Sequence, residues 1–232
     1  MRIGFIFGLF TTCLLSSVSL LADTLDGALN RLDRAGSQFK SMTAQFKYVK
    51  HTAIVNEDSN SNGTIKIRKI KRTPPPDDIF GLLDFVSPDK KVVALNGKSV
   101  EIYLPNINTV QQVDLGKHKV LVEQFFLFGF GTSRSDLEAA YNVSLGGPEN
   151  IGDEPTTRLV LTSKNPEVTR QLSKFELWMS DKTGEPVQQK FYEPSGDFNV
   201  FTYSDMKINP NLQDSALKLK VPSNVKRETL NK

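Results

Sequence analysis

The chain predicts a mainly β protein with a few helices, an α+β class built on one antiparallel sheet of about 10–11 strands. Three observations predict it. From Thr43 onward, short runs alternate apolar and polar residues. Turn sequences such as Asn96-Gly97, Lys182-Thr183-Gly184 and Ser195-Gly196-Asp197 punctuate those runs, at a spacing of about 8–12 residues. Helical periodicity is confined to three stretches. A sheet this wide must curl or split, and the helices are then needed to cover its concave apolar face.

The elements follow in order. Arg2 precedes an apolar run from Ile3 to Leu15, and Ala22 stands where a signal peptidase could cut, with no acidic residue before Asp23. This is a secretory signal pattern over residues 1–22. The run falls short of the roughly 20 apolar residues a membrane-spanning helix needs, although an N-terminal anchor stays open as the alternative. Residues 23–232 are then one domain. Leu25, Ala28, Leu29, Leu32, Phe39 and Met42 recur at helical spacing, with Asp23 or Thr24 able to cap the start. Near Ser41 the period changes to two, with Ala44, Phe46 and Tyr48 on one face.

Asn62-Gly63 reads as a tight turn before a strand at Thr64–Arg68. The triple proline Pro74-Pro75-Pro76 is a stiff break. Strands are expected at 79–86, 91–95, 99–104 and 109–115. Two helices follow, Val120–Phe130 and Ser135–Tyr141, the second capped by Ser135. Further strands are expected at 141–145, 157–162, 174–180, 187–192 and 198–204, with a short last one at Leu217–Val221.

Composition narrows the function classes. Apolar residues make up 38% and charged residues 24%, and the net charge is +3, so nothing demands a nucleic acid partner. The single cysteine, Cys13, lies within the signal, which leaves no disulfide, thiol nucleophile or cysteine-bound metal afterwards. Its surroundings are a poor lipoprotein cleavage site. The two histidines, His51 and His118, each stand among polar residues away from any nucleophile elbow or zinc spacing. Gly129-Phe130-Gly131 follows a helix pattern rather than a strand, so it is not a dinucleotide loop. Asp77-Asp78 is more simply a solvated loop pair than a cation site. No enzyme activity and no cofactor are expected.

Two features remain. Lys66, Arg68, Lys69, Lys71 and Arg72 are either the charged outer face of an edge strand or a contact for anionic headgroups or an acidic partner. The chain also holds 15 phenylalanines, and Val120–Phe130 is apolar on nearly every side if helical. Such a helix is either packed in the core or closes an apolar cavity over the strand residues Phe85, Val93, Leu95, Val100, Ile102 and Leu104. Acyl chains suit that space, at about 0.8 kcal/mol for each buried CH₂.

The ordered motifs carry a resemblance. Met42-Thr43-Ala44-Gln45-Phe46 follows the first helix, and Gly63-Thr64-Ile65-Lys66-Ile67 follows as a glycine-led strand. Ser87-Pro88 comes next, then Asn96-Gly97-Lys98, Tyr103-Leu104-Pro105 and Val110-Gln111-Gln112-Val113. Leu177-Trp178-Met179 with Asp181 and Gly184 stands downstream. This set resembles the LolA family of periplasmic lipoprotein carriers and the wider LolA/LolB-like superfamily. The resemblance implies an unclosed antiparallel β-barrel with a helical lid over a hydrophobic cavity. It implies a periplasmic carrier that takes an acylated lipoprotein from an inner-membrane transporter and passes it to an outer-membrane receptor, without covalent chemistry. A monomer is expected.

The lipid-binding residues expected on this basis are Phe46, Tyr48, Ile65, Ile67, Leu82, Phe85, Val93, Leu95, Ile102, Leu104 and Trp178, with Phe125, Phe126 and Phe128 as the lid. One departure is visible: Leu82 stands about where carriers of this family have an arginine that bonds to the lid. A carrier of another lipid or glycolipid with the same fold therefore stays open, as does an envelope interaction module whose interior is filled by its own side chains.

Overall fold

The computed structural model describes residues 24–70, 78–97, 99–116 and 129–230. The expected export signal, the triple proline and most of the expected helix Val120–Phe130 lie outside these residues. Helix α1 (Leu25–Gln38) opens the described chain. Thr24 caps α1 by accepting a hydrogen bond from the Gly27 amide at 3.0 Å. The apolar stripe Ala28, Leu29 and Leu32 is fully buried. Phe39 is already extended and ends the helix, so the expected continuation to Met42 does not form.

Strands β1 (Ser41–Thr52), β2 (Glu57–Ile70), β3 (Asp78–Ser87), β4 (Lys91–Asn96), β5 (Ser99–Leu104) and β6 (Thr109–Asp114) form a meander of hairpins. After helix α2 (Arg134–Ala140), a second meander runs through β7 (Tyr141–Ile151), β8 (Glu154–Ser163), β9 (Lys174–Ser180), β10 (Pro186–Tyr192) and β11 (Phe198–Ile208), with a one-turn helix α3 (Pro166–Thr169) between β8 and β9. β11 returns to pair with β1 and joins the two meanders. The last strand, β12 (Lys226–Thr229), lies along β6.

The result is one sheet in the order β12-β6-β5-β4-β3-β2-β1-β11-β10-β9-β8-β7, with β12 and β7 as its two ends. The fold is therefore an unclosed barrel. Register shifts at Thr43/Gln45, Asn62/Gly63, Leu145/Gly147 and Pro186/Gln188 mark the bulges that let so wide a sheet curl. The buried cluster fills the concave side, where α1 and Leu137 of α2 pack on the strands.

Several expectations change. The sheet has 12 strands, and β12 pairs with β6 in parallel, so the sheet is not wholly antiparallel. Leu217–Val221 is not a strand. That stretch belongs to a segment that crosses the convex face, where Arg68 donates to the Leu212 carbonyl at 2.8 Å and to Asp214 Oδ1 at 2.5 Å. Ala94, Val110 and Leu217 are buried apart from the concave cluster.

Asn62-Gly63 is not a turn either: it lies inside β2, which begins at Glu57. Gly63 is required there by close approach, because a Cβ would sit 2.7 Å from Phe46 Cζ and collide with the Asp84 carbonyl. The true turn is at 53–56, with Asn56 at φ 51°. β2 also lies between β1 and β3, so its basic residues are not on an edge strand. The cap of α2 is Ser133, whose oxygen accepts from the Asp136 amide at 3.1 Å, rather than Ser135.

Candidate functional site

Period-two alternation decides which side chains meet on the concave face. In β3, Ile79, Gly81, Leu83 and Phe85 are buried, while Phe80, Leu82 and Asp84 between them are only half-buried. Neighbouring strands repeat the pattern with Phe46 of β1, Ile65 and Ile67 of β2, and Leu95 of β4. Val93, Ile102 and Tyr48 are half-buried and pack against the same cluster. Leu104 shares their face by alternation and is half-buried at the end of β5.

Aromatic rings form the centre of this face. Phe46 meets Phe85 edge-on at 4.9 Å and Phe201 at 5.6 Å. Tyr48 lies 4.6 Å from Phe201 and 5.9 Å from Phe85. The edge-to-face pairs Phe46–Phe85, Phe46–Phe201 and Tyr48–Phe85 add about 0.5–1.5 kcal/mol each beyond their buried area. Two phenols on this face, Tyr203 and Tyr48, are tied down by hydrogen bonds. Tyr203 donates to Gln189 Oε1 at 2.8 Å in a fully buried pair, and burial pushes its ionisation up. Tyr48 donates to Asn199 Oδ1 at 2.6 Å, and burial with the nearby Glu193 charge raises its ionisation too.

The roof is anchored by α1, α2 and Phe130. Arg134, at the start of α2, donates to Asp26 Oδ1 at 2.6 Å and Asn30 Oδ1 at 3.1 Å, both on α1, and to Glu138 Oε1 at 3.0 Å. Its amide donates to Asp33 Oδ1 at 2.8 Å. The two helices are thus tied together by one arginine. Phe130 is fully buried, 5.9 Å from Phe39 and 5.5 Å from Tyr203. The glycines flanking it have positive φ, 86° at Gly129 and 64° at Gly131. A Cβ on Gly129 would lie 2.8 Å from Leu177 and Pro186, and one on Gly131 would lie 2.8 Å from Phe39. As a motif, this Gly-Phe-Gly reads only as a failed nucleotide loop; in the fold it is the anchor that seats one ring in the core. The expected lid residues Phe125, Phe126 and Phe128 lie outside the described residues.

Two expected site residues face the other way. Leu82 lies on the convex side, opposite Lys66 and Ala94, because Leu83 takes the inward position. Trp178 is buried but outside the concave cluster, since Leu177 and Met179 point inward. Its indole donates to Glu149 Oε2 at 2.9 Å, and the Arg158 guanidinium lies over its ring at 5.8 Å. His51 is not isolated: its Nδ1 lies 2.7 Å from Asp58 Oδ1 and its ring stacks on Phe198 at 4.4 Å. Among the basic residues, Lys69 donates to the Gly131 carbonyl at 3.0 Å. No group of three or more potential metal ligands occurs among the described residues.

An unclosed barrel with a continuous apolar concave face and a helical roof defines a class built to hold something apolar or to be filled by its own side chains. The chain matches the family model described as outer membrane lipoprotein carrier protein LolA over residues 37–220. It belongs to the LolA family. Among curated proteins, none matches the sequence. Among solved structures, an uncharacterized conserved protein from Thermus thermophilus is similar, at 13% identity with a TM-score of 0.53, covering 88% of this chain and 98% of that one. The Mycobacterium tuberculosis lipoprotein LppX is similar at 12% identity and TM-score 0.47, covering 82% and 100%. A LolA superfamily protein from Nitrosomonas europaea is similar at 16% identity and TM-score 0.41, covering 85% and 99%. The first of these shares the fold. The family's description is one of carriage rather than covalent chemistry.

Proposed function

We propose that this protein is a periplasmic carrier that shields the acyl chains of lipoproteins between the concave face and its roof. It receives them from an inner-membrane transporter and gives them up to an outer-membrane receptor. Residues 1–22 would direct export, and residues 23–232 would form the single carrying domain. The observation that carries this reading is the unbroken apolar arc from Phe201 through Phe46, Ile65, Leu83 and Leu95 to Ile102.

The energetics suit a carrier. Each acyl CH₂ taken from water is worth about 0.8 kcal/mol. The face is already covered, with residues such as Ile67 and Leu95 no more than 1% exposed. Cargo must therefore displace roof contacts, and net affinity is the difference between two burials. That difference leaves the cargo releasable.

One observation favours a second reading. The concave residues of β3 are Ile79, Gly81, Leu83 and Phe85, so this strand offers no cation to latch a roof. A carrier of another lipid or glycolipid fits the same face. Both readings differ from a cargo-free module in one test, binding of the apolar fluorophore ANS to the native protein. A carrier takes it up, and Ile102→Asp abolishes the uptake while far-UV circular dichroism stays native. Trp178→Phe, on the convex side, leaves uptake unchanged. Native protein that excludes ANS, or Ile102→Asp protein that still binds it, would sink the assignment of the concave face.

A further inference from the structure

Exposed aliphatic residues scattered singly are ordinary; here they gather. Ile54 is 93% exposed and Val55 57% at the β1–β2 tip, Val86 48% at the end of β3, and Ile107 60% in the β5–β6 turn. Strand direction puts all of these at one end of the sheet, because β1, β3 and β5 all run towards it and β2, β4 and β6 run back. Successive tips stand two strands apart, about 10 Å across the sheet.

The β1–β2 tip projects furthest. Pairing of β2 with β3 stops at Asn62 and Ser87, so residues 57–61 pair only with β1. That carries the tip about 17 Å further along the strand direction. The tip is held in place: the Ala53 amide donates to Asp197 Oδ1 at 2.8 Å, and the Asn56 amide to the Ala53 carbonyl at 3.2 Å.

The concave face loosens towards this same end. Tyr48, Val93, Ile102 and Leu104 are half-buried there, whereas Met42, Ile67 and Leu95 at the other end are sealed. We infer that this end docks on a lipid bilayer, inserting Ile54 and Val55, and so turns the looser end of the concave face towards the membrane in which its donor or acceptor sits, for the cargo step. The inference rests on the acyl-chain reading of that face for its cargo step. Separate convex tips favour a bilayer over a protein partner: a fluid surface accepts each tip wherever it falls, while a folded partner would need three matched pockets. Positive charge does not drive the contact, since Lys50, Lys90 and Lys91 are offset by Glu57, Asp58, Asp89 and Asp197 at the same end. Binding should therefore survive about 1 M salt, where screening acts over about 3 Å.

The test uses the protein exported to and purified from the periplasm, with Cys13→Ser so that the label is unique, carrying either Ile54→Cys or Asp153→Cys labelled with the environment-sensitive dye NBD. Asp153 lies in the β7–β8 turn at the opposite end. Protein-free vesicles of phosphatidylethanolamine and phosphatidylglycerol are added. The dye at position 54 should brighten severalfold and shift to the blue, and the dye at 153 should not. Ile54→Asp combined with Val55→Asp should weaken vesicle partitioning about tenfold or more, while ANS uptake without vesicles is unchanged. A silent dye at 54, equal responses at both positions, or a response only to membranes containing protein would overturn the inference. Insertion of position 54 in a protein that excludes ANS would uphold docking and remove the cargo reading, so the two fail separately.

Discussion

Glu185 places a carboxyl where water barely reaches it. It is 6% exposed, and its Oε2 has no hydrogen-bond partner among the described residues. Burial pushes its pKa up from 4.5 to about 7. The sign of the consequence follows from proton counting. Between about pH 4.5 and 7 the folded state keeps a proton that the unfolded state has lost, so stability falls as pH rises through that window and levels off above it. The full effect is on the order of 3 kcal/mol. Glu185→Gln should flatten this decline and raise the urea midpoint at pH 8, read from denaturation curves between pH 4.5 and 8. An unchanged slope would mean that the carboxyl reaches water in solution.

Residue-scale reading also shows where sequence signals are ambiguous. Asn-Gly at 62–63 and at 96–97 look alike as turn signals. Gly97 does turn, at φ 80°, whereas Gly63 serves a ring and a carbonyl pressed against its backbone. Only the partner, distant in sequence, separates the two. Leu82 and Trp178 illustrate the reverse: both were expected in the site, yet each adjoins an inward Leu, and strict alternation from Leu83 and Leu177 places both on the outer face.

At the scale of elements, the roof is held both by a link between its helices and by ties to the sheet, where Lys69 of β2 donates to the Gly131 carbonyl and Arg31 of α1 donates to Thr157 of β8. Arg134 joins α2 to Asp26 and Asn30 of α1. Both partners are well exposed, so the link contributes little to global stability. We expect it instead to set how readily α1 and α2 separate. Arg134→Ala should leave the denaturation midpoint nearly unchanged and speed ANS uptake severalfold in stopped-flow mixing. Equal uptake rates would show that these helices do not gate the face. The helices and most strands were legible, because an amphipathic period declares itself locally. β12 was not. Lys226–Thr229 is charged and exposed along its length, and it becomes a strand only because β6 offers it an edge.

At the scale of the whole molecule, the curl was legible from strand number alone, since a sheet this wide does not stay flat. The join that makes it a barrel was not, because β1–β11 pairing links residues about 150 positions apart with no local mark. The chemistry of the concave face followed once that join was known: apolar residues of β1–β5 and β7–β11 converge only when the sheet bends. The cargo proposed for it belongs to this scale too, since no single residue would select an acyl chain.

The most direct measurement is native mass spectrometry, with lipid extraction, of the protein purified from the periplasmic fraction of its host. A carrier should arrive with an acylated species bound, lost when the protein is unfolded, and the extracted species would separate lipoprotein from free lipid or glycolipid. A clean apo mass, unchanged after incubation with membrane extract, would contradict the account and leave the concave face as a packed core.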